Sequence, residues 1–502
     1  MATLPPPPEA FNLAAHVLAP AAARPDRIAM AVLGPARAER WSYGRLAAAV
    51  DGTATGLIDA GFAPGDRLLL RLGNTPDFPI AFLGAISAGL IPVPTSSQLT
   101  APEVTALCPG LQPAGILAAP GIALPEHPAP VLTLDTLRGF RDRPPTAPAP
   151  GDPDRPAYII YTSGTSGRPR AVIHAHRAIW ARRAMHRGWY GLTPEDRVLH
   201  AGAFNWTYTL GTGLLDPWSV GATALIPETG TEPGLLPLLL KRHDATIFAA
   251  VPGIYRQLLR HHLNPMPQLR HGLSAGEKLP DTLREAWRDA TGTDIHEAFG
   301  MSECSTFLSG SPDRPAPPDT LGFAQPGRRI ALVDDAGTPV APGTPGIIAI
   351  HRDDPGLMLG YLGHMDEAAE RHRGAWFLTG DMGQETPDGA IAYHGRADDM
   401  MNAGGYRVSP IEVETALATH PGIAEAAAVE LRVAPDTSVI AAFYTGPVPL
   451  AQDDLAAFAS ARLARYKCPR IFIHRPTLPR GANNKLQRNA LRRDWEAAHG
   501  QT

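Results

Sequence analysis

A loop rich in glycine and hydroxyl side chains follows a strand-like run near residue 160, and it restricts how this part of the chain can fold. The run Tyr158–Tyr161 is aromatic and β-branched, which predicts a strand. Gly164 and Gly167 permit a tight turn and a close approach of the backbone to an anion. The side chains around them are hydrogen-bond donors: Thr162, Ser163, Thr165, Ser166, Arg168 and Arg170. This combination predicts a polyphosphate-binding loop, although loops of this composition also occur as plain solvated connections.

Two common phosphate-binding loops do not match this segment. A Walker A loop requires Gly, then Lys, then Ser or Thr, whereas Gly167 is followed by Arg168 and Pro169. The segment also does not supply the dinucleotide pattern G-x-G-x-x-G. The phosphate compound must therefore be identified from residues elsewhere in the chain.

Length, charge and cysteine content exclude several classes of protein. A chain of 502 residues is too long for one compact core, so two or more domains are expected. A net charge of −4 gives no support for binding to nucleic acid. The cysteines Cys108, Cys304 and Cys468 are far apart, which argues against a disulfide framework or a zinc cluster and favours a reducing cytoplasm.

Neither a membrane span nor a secretory signal is expected from the sequence. The longest apolar run, Phe78 to Val93, is interrupted by Ser87, Gly89 and Pro92, and it is shorter than the roughly 18 residues of a membrane-spanning helix. The first residues lack the basic and apolar regions of a signal peptide. We therefore expect a cytoplasmic protein.

Helix-like and strand-like segments alternate in the first part of the chain, as in the helical pattern of Tyr43–Ala60 and the strand pattern of Arg67–Leu72. Alternation of this kind predicts α/β layers. The proline-rich stretch Pro125–Pro156 predicts a surface connection. Short strands between Gly322 and Tyr393 predict a small β-rich subdomain.

From Pro410 onward, helical and strand patterns alternate again over a short length, which predicts a compact α+β tail. The overall prediction is an α/β fold with two domains. Residues 1–396 form a large N-terminal domain of layered α/β subdomains plus the small β-rich subdomain, and residues 397–502 form a small mobile α+β C-terminal domain.

Four further motifs follow the loop in a fixed order: Phe299–Glu303, Thr379–Asp381, Gly395–Asp398 and Leu478–Lys485. Together with the loop they resemble the motif series of the adenylate-forming superfamily, which contains acyl-CoA synthetases, adenylation domains of peptide synthetases and luciferases. The segment Phe204–Ala222 looks more like medium-chain and aryl acyl-CoA ligases than long-chain ones. This resemblance implies an acid–thiol ligase that uses ATP and Mg²⁺ to form an acyl-adenylate and then transfers the acyl group to CoA.

The resemblance also implies which residues hold the nucleotide and the metal. Glu303 is a hard oxygen ligand suited to Mg²⁺, and Asp381 offers two acceptors to the ribose hydroxyls. Lys485 would hold the α-phosphate and the carboxylate as they react. The catalytic residues that the resemblance implies are Lys485, Ser302 and Glu303. The implied ATP/AMP-binding residues are Thr162, Ser163, Gly164, Thr165, Ser166, Gly167, Arg170, Gly276, Glu277, Glu297, Ala298, Phe299, Ser302, Asp381, Arg396 and Lys485.

In the family the C-terminal domain rotates between the two half-reactions about a hinge residue, which here is Asp398. CoA would then be bound by Gly404, Gly405, Tyr406 and Arg407. Gly405 suits this role because a missing Cβ permits close approach.

The motifs depart from the family pattern at three positions. Arg170 and Ala171 stand where the family usually has Lys and Gly, and Asn484 stands where Gly normally precedes the lysine. Arg170 keeps the positive charge, so we expect activity to be retained. His176, at the end of the loop motif, is expected to be structural.

The implied acyl pocket consists of Phe204, Asn205, Trp206, Gly300, Met301 and Cys304. Acetyl-CoA synthetases place Trp where Gly300 stands, so Gly300 predicts a substrate larger than acetate. The apolar remainder favours a medium-length aliphatic or an aromatic acid.

Two other functions remain open from the sequence. The chain could be a stand-alone adenylation enzyme that loads a carrier protein, or a non-catalytic nucleotide-binding relative in which the departures mark decay. The partners expected for the leading interpretation are a small carboxylic acid and CoA, with no nucleic acid, and the protein is expected to be a monomer or a homodimer.

Overall fold

The computed structural model describes residues 4–162, 169–263, 265–397, 399–403, 406–434, 437–481 and 486–499. The strands are β1 (Ile28–Leu33), β2 (Ala38–Ser42), β3 (Arg67–Arg71), β4 (Ile91–Pro94), β5 (Gly115–Ala118), β6 (Val131–Thr133), β7 (Pro156–Thr162), β8 (Arg170–Ala175), β9 (Arg197–His200), β10 (Thr223–Pro227), β11 (Ile247–Ala249), β12 (His271–Ala275), β13 (Asp294–Met301), β14 (Ser305–Ser309), β15 (Phe323–Ala324), β16 (Ile330–Val333), β17 (Gly346–His351), β18 (Gly360–Tyr361), β19 (His372–Arg373), β20 (Trp376–Glu385), β21 (Ile391–Arg396), β22 (Met401–Ala403), β23 (Tyr406–Val408), β24 (Glu425–Ala434), β25 (Thr437–Thr445) and β26 (Ile471–His474).

The α-helices are α1 (Leu13–Leu18), α2 (Pro20–Ala23), α3 (Tyr43–Asp59), α4 (Asp77–Ser87), α5 (Ala101–Thr105), α6 (Cys108–Leu111), α7 (Leu134–Phe140), α8 (Ala178–Ala181), α9 (Arg183–Met185), α10 (Thr207–Leu210), α11 (Asp216–Val220), α12 (Leu236–Arg242), α13 (Pro252–Leu258), α14 (Asp281–Thr291), α15 (Met365–Ala369), α16 (Pro410–Ala418), α17 (Gln452–Ser460) and α18 (Arg488–His499). Short π-helical turns occupy His186–Tyr190 and Gly211–Leu215, and 3₁₀ turns occupy Pro233–Leu235 and Arg465–Lys467.

The chain divides into two compact units, and the predicted α/β fold with a large N-terminal and a small C-terminal part is confirmed. The first unit comprises Met1–Ile330 and Ile350–Phe377, and the second comprises Ala331–Ala349 and Leu378–Thr502. The second unit thus includes much of the β-rich segment as well as the tail. The domain boundary at 396/397 and the mobility of the tail stay predictions.

The core of the first unit contains a largely parallel sheet. Its strand order is β15-β14-β13-β12-β11-β9-β10-β1-β2, in which β1 and β9–β13 pair in parallel and the outer strands β2, β14 and β15 are antiparallel. All residues of Thr223–Pro227 in β10 are buried, as expected for a parallel strand covered on both faces. From β9 the chain proceeds to β10 on one side and to β11, β12 and β13 on the other, and such reversals create ligand crevices at the carboxyl ends of strands.

Two smaller sheets complete the first unit. One has the parallel order β4-β3-β5-β6, and the other is antiparallel with the order β18-β8-β7. In the second of these, Thr162 pairs with Arg170 and Tyr361 pairs with Val172. The strand predicted at Tyr158–Tyr161 is therefore confirmed as part of β7, and the glycine-rich loop connects two antiparallel strands.

The second unit has its own apolar core between α16, α17 and the sheet β24-β25-β26. Its helices and strands match the predicted α+β tail. Most residues of a further sheet, with β16, β17, β20 and β21, also belong to this unit, and β22 pairs with β23 as a small hairpin.

The prediction for Pro125–Pro156 was incomplete, because β6 and α7 lie within this proline-rich stretch. Helix α7 is anchored by Arg138, whose Nε and Nη2 donate to the two carboxylate oxygens of buried Asp77, each at 3.0 Å. Among the described residues, no helix combines the length and apolar character needed to cross a membrane.

Candidate active site

The predicted pocket residues of the first unit follow the carboxyl ends of neighbouring parallel strands. The segment at Phe204 follows β9, Gly276 and Glu277 follow β12, and Phe299–Glu303 forms the end of β13 and the turn beyond it. Because β9, β11, β12 and β13 are adjacent and parallel, their carboxyl ends lie along one edge of the sheet. The structure thus brings the predicted acyl segment and part of the predicted nucleotide-binding set to the same edge, where ligands bind in such sheets.

The turn that carries Ser302 and Glu303 is held by two buried ion pairs. On one side, Arg182 pairs with Asp216, with Nε at 2.9 Å from Oδ1, and donates to the Ser305 hydroxyl. Both members of this pair are buried.

On the other side of the turn, buried Arg328 pairs with Asp354, with Nε at 2.9 Å from Oδ2. Its Nη2 donates to the Cys304 sulfur at 2.8 Å and to the Cys304 carbonyl at 3.3 Å. The turn is therefore fixed through both its backbone and its side chains, which preorganises the residues predicted to meet phosphate and metal.

Two of the predicted acyl-pocket side chains have other surroundings. The Cys304 thiol contacts Arg328, and burial raises its pKa to about 12. Phe204 is 1% exposed and packs against Phe78, with ring centroids 5.2 Å apart. Asn205, Trp206 and Met301 are half-buried, and their role in binding the acid stays a prediction.

Gly300 has a structural cause that does not depend on the size of the substrate. A Cβ at this position would lie 2.1 Å from the Ser305 carbonyl oxygen and 2.4 Å from the Thr306 Cα. These are backbone atoms of β14, which pairs with β13 through a register shift at Phe299/Gly300. Glycine is therefore required by the close approach of two strands, so its presence does not by itself indicate a large acyl pocket.

Glu303 is buried and held by two donors that the sequence reasoning missed. Its Oε1 accepts hydrogen bonds from the Tyr361 hydroxyl at 2.6 Å and from Arg371 Nη1 at 3.0 Å. Arg371 also donates to the Tyr361 oxygen at 2.7 Å. No local pattern marks these partners, because they are 58 and 68 residues from Glu303 in the chain.

The surroundings of Glu303 fit a Mg²⁺ ion that is bound together with a nucleotide. Magnesium in such sites is typically held by one or two carboxylates plus substrate phosphates and water. Among the described residues there is no group of three or more His, Cys, Asp or Glu side chains that could hold a metal alone. Glu303 offers one carboxylate oxygen that is not bonded to a described residue, so the other ligands of a cation here would have to come from a nucleotide and water.

Arg170 lies at the base of the glycine-rich loop, whose residues 163–168 are outside the described part of the chain. Its guanidinium is 2.7 Å from Oε2 of Glu367 and lies over the Tyr361 ring, 5.1 Å from the centroid. The pair is partly exposed, so it contributes only modest stability. Arg170 is thus positioned beside Tyr361, the same residue that holds Glu303.

The two histidines after the loop are buried and neutral at physiological pH. The Nδ1 atom of His176 accepts from the Leu13 backbone N–H at 3.0 Å, and burial lowers the His176 pKa to about 3. His174 stacks on Tyr158 with centroids 4.8 Å apart, and burial lowers its pKa to about 4. These contacts agree with a structural role for His176.

The remaining residues of the first unit that are predicted to line the nucleotide pocket lie on β13 or next to β12 and β13. Exposed Gly276 has φ +92°, a backbone conformation that favours glycine. Ala298 is an internal position of β13, and half-buried Phe299 meets Phe307 edge-on at 5.6 Å. Glu297 is buried and accepts from the Leu279 backbone N–H at 2.9 Å, so its carboxylate faces the start of α14.

In the second unit, Asp381 and Arg396, which are both predicted to bind the nucleotide, lie in contact. Oδ1 of Asp381 accepts from the Tyr393 hydroxyl at 2.8 Å, and Oδ2 is 3.3 Å from Arg396 Nη1. Arg396 also donates to the Thr379 carbonyl at 3.2 Å. Burial and the nearby Asp381 raise the pKa of Tyr393 well above its ordinary value, so its hydroxyl remains a donor.

Several predicted residues lie outside the described residues, namely Ser163, Gly164, Thr165, Ser166, Gly167, Asp398, Gly404, Gly405 and Lys485. The backbones of Tyr406 and Arg407 belong to β23, which pairs with β22. In the same unit, Arg488 at the start of α18 donates to both oxygens of Glu414, at 2.8 and 2.7 Å, and to Asp399 at 3.3 Å. This anchor fixes the start of the helix that follows the predicted lysine motif.

The sequence matches two family models along its length. Residues 18–362 match the AMP-binding enzyme family, and residues 412–485 match the AMP-binding enzyme C-terminal domain. The chain therefore belongs to the AMP-binding enzymes, which confirms the resemblance drawn from the motifs.

Curated relatives and solved structures agree with this assignment. The chain is 32% identical to the 3-hydroxybenzoate–CoA ligase of Aromatoleum sp. (strain CIB), over 96% of this chain and 97% of that protein. It is 29% identical to the human mitochondrial acyl-coenzyme A synthetase ACSM2A, over 93% of this chain and 86% of that protein. The structure superposes on a benzoate CoA ligase from Burkholderia xenovorans LB400 with a TM-score of 0.82 and 28% identity, covering 96% and 100% of the two chains.

Proposed function

We propose that the protein is an ATP-dependent, AMP-forming carboxylate–CoA ligase. It converts a carboxylic acid and ATP into an acyl-adenylate and pyrophosphate, and then transfers the acyl group to CoA with release of AMP. The observation that carries this proposal is the match of both AMP-binding models in order along one chain, together with 32% identity over 96% of the chain to a CoA ligase. Neither a carrier-protein acceptor nor a non-catalytic role has comparable support.

An aromatic acid of the benzoate type is the proposed substrate, with medium-length aliphatic acids as the second class. The names of the relatives, a 3-hydroxybenzoate–CoA ligase and a benzoate CoA ligase, support the first class. Half-buried Trp206 and Met301, close to the sheet edge, would give an apolar ring a surface to pack on. Apolar pockets distinguish one methylene by only about 1–3 kcal/mol, so we expect several acids to be accepted.

In the first half-reaction, a carboxylate oxygen attacks the α-phosphorus of ATP in line, and the bond from that phosphorus to the pyrophosphate oxygen breaks. We assign Ser302, Arg170 and the glycine-rich loop to phosphate, and Lys485 to the reacting carboxylate and α-phosphate. Mg²⁺ held by Glu303 and phosphate oxygens would neutralise charge during this step. Asp381 and Arg396 are assigned to the ribose.

In the second half-reaction, the CoA sulfur attacks the acyl carbonyl carbon and the bond from that carbon to the AMP oxygen breaks. Asp398 is the proposed hinge for this step, and Gly404, Gly405, Tyr406 and Arg407 are the proposed CoA contacts. A cytoplasmic location belongs to the same proposal, and the free thiols Cys108, Cys304 and Cys468 are compatible with it.

Pyrophosphate exchange into ATP with a panel of acids tests the proposal. The panel should contain benzoate, 3-hydroxybenzoate, hexanoate, octanoate and acetate, and we expect the fastest exchange with an aromatic acid. Lys485→Ala should lower exchange by about a hundredfold or more, because a transition-state charge contact is lost. Addition of CoA should then release AMP. Exchange with no acid, or AMP release that is indifferent to CoA, would contradict the assignment.

A further inference from the structure

The Glu303 carboxylate is held through one of its two oxygens. Oε1 accepts from both the Tyr361 hydroxyl and Arg371 Nη1, at 2.6 and 3.0 Å, whereas Oε2 accepts no hydrogen bond from any described residue. The Glu303 side chain is only 12% exposed, so these contacts form where screening by water is weak. One oxygen is therefore fixed by protein donors and the other is left for a ligand.

Both donors are themselves held in place by the first unit. Tyr361 is fully buried on β18, where it pairs with Val172 of β8. The Arg371 guanidinium lies over the Phe377 ring, 4.5 Å from its centroid. The segment leading to β18 also holds the Glu303 backbone, because the Met358 N–H donates to the Glu303 carbonyl at 2.7 Å.

We propose that Tyr361 and Arg371 are positioning residues for the divalent cation that accompanies ATP. By holding Oε1 they orient Oε2 of Glu303 toward the cation, and neither of them touches the cation. Hydrogen bonds from such outer partners orient ligating side chains, and their loss typically weakens metal binding by about 10–100-fold. This inference rests on the proposed function, because Glu303 is taken to be the metal ligand of an ATP-using enzyme.

The main test is Tyr361→Phe, which removes one hydroxyl and keeps the ring. The measurement is Mn²⁺ binding to the full-length protein saturated with a non-hydrolysable ATP analogue, followed by the electron paramagnetic resonance signal of free Mn²⁺. We expect the dissociation constant for Mn²⁺ to rise about tenfold, while the affinity for AMP without metal changes less than twofold. Tyr444→Phe is the matched control, since it removes a buried hydroxyl that accepts from the Leu450 N–H at 2.7 Å in the second unit. The control should leave Mn²⁺ binding unchanged.

A second pair of variants tests the contribution of the guanidinium. Arg371→Gln should also weaken Mn²⁺ binding about tenfold, and Arg371→Lys should restore part of the affinity because it retains a cationic donor. Arg373→Gln is the control on the same segment, since Arg373 donates only to the backbone carbonyls of Glu370 and His372 among the described residues. If Tyr361→Phe does not fold, the Arg371 series carries the test.

A double-mutant cycle decides whether Tyr361 acts through Glu303. In a Glu303→Gln background, Tyr361→Phe should change Mn²⁺ binding less than twofold. A full tenfold effect in that background overturns the inference, as does unchanged Mn²⁺ binding in the single variant or an equal loss of AMP affinity. If the wild-type protein exchanges pyrophosphate and Tyr361→Phe binds Mn²⁺ normally, this inference is refuted and the proposed function stands. Wild-type protein that exchanges with no acid refutes the proposed function, and the Mn²⁺ titration still reports separately on the positioning residues.

Discussion

Glu303 and Asp381, which are proposed to bind the metal and the ribose, each contact one tyrosine and one arginine among the described residues, but in different ways. At Glu303 both donors contact Oε1. At Asp381 the donors are divided, with the Tyr393 hydroxyl on Oδ1 and Arg396 on Oδ2. The first arrangement leaves Oε2 of Glu303 for the proposed metal, whereas the second fixes the plane of a carboxylate whose two oxygens would each accept from a ribose hydroxyl under the proposed function. Under the proposed function, the same pair of residue types would support two kinds of ligand.

The two carboxylates also differ in what supports their backbone. The turn at Glu303 is held by the buried pairs of Arg182 with Asp216 and Arg328 with Asp354. Asp381 is supported by a neutral contact, because its N–H donates to the Thr379 hydroxyl at 3.1 Å, which in turn donates to the Ile348 carbonyl at 2.7 Å. We therefore expect the Glu303 region to depend far more on charge pairing than the Asp381 region.

The largest expected effect concerns this difference in support. Arg328→Met leaves Asp354 as an unpaired buried charge, so the free energy of unfolding should fall by about 3–5 kcal/mol. Thr379→Val removes a neutral hydroxyl and should reduce it by about 0.5–1.5 kcal/mol. Urea unfolding of the two variants beside wild type measures both. Equal losses would show that the buried Arg328–Asp354 pair contributes no more to the free energy of unfolding than the Thr379 hydroxyl does.

The next effect separates the roles of the two carboxylates. Glu303→Gln should lower the rate of adenylation about a hundredfold, mainly through kcat, because a metal ligand that acts in the transition state is lost. Asp381→Asn should act mainly on the KM for ATP, by about tenfold, since it weakens hydrogen bonds made by a charged acceptor. Pyrophosphate exchange at varied ATP and Mg²⁺ concentrations distinguishes them. If both variants shift only KM, the two sites do not differ in the proposed way.

Much of the fold was predictable because local patterns and tertiary structure agree. The predicted helix Tyr43–Ala60 corresponds to α3, and the predicted strand Arg67–Leu72 corresponds to β3. The prediction of a surface connection at Pro125–Pro156 missed helix α7, which Arg138 anchors to Asp77, 61 residues away in the sequence. The composition of the stretch does not indicate that contact. Tertiary contacts of this kind override local propensity.

The candidate site shows the same limit. Motifs located Glu303 and Asp381, since their spacing and neighbours are local. Tyr361 and Arg371 could not be found from the sequence, because they lie 58 and 68 residues from Glu303 and contact it only in the folded chain. Gly300 was assigned to the pocket for lack of a side chain, whereas the reason for glycine is the backbone of β14 lying 2.1 Å from where its Cβ would be.

A third carboxylate, Glu297, is buried as Glu303 is, but its arginine partner is more distant. Its Oε2 is 3.4 Å from Arg284 Nη2, and burial raises its pKa from 4.5 to about 7. The folded state therefore keeps the proton to higher pH than the unfolded state, so the contribution to stability is fully present below about pH 4.5 and is lost as pH rises through about 7. Glu297→Gln should reduce this pH dependence by an amount on the order of 1 kcal/mol or more. Urea unfolding at pH 5 and pH 8 measures it, and an unchanged difference between the two pH values would contradict the raised pKa.

The smallest effect is expected for the partly exposed pair of Arg170 and Glu367. This pair tests whether burial determines how strongly the contacts of Glu303 contribute to stability. These side chains are 30% and 40% exposed, so Glu367→Gln should lower the free energy of unfolding by only about 0–1 kcal/mol. The loss should shrink further at 1 M salt, where the screening length is about 3 Å. Arg371→Gln, which removes a charge from the nearly buried side chain of Glu303, should retain most of its effect on stability at the same salt concentration. Urea unfolding at low and high salt compares the two variants. Equal salt sensitivity would mean that the Glu303 carboxylate is as accessible to solvent as Glu367 and that burial does not set its electrostatics.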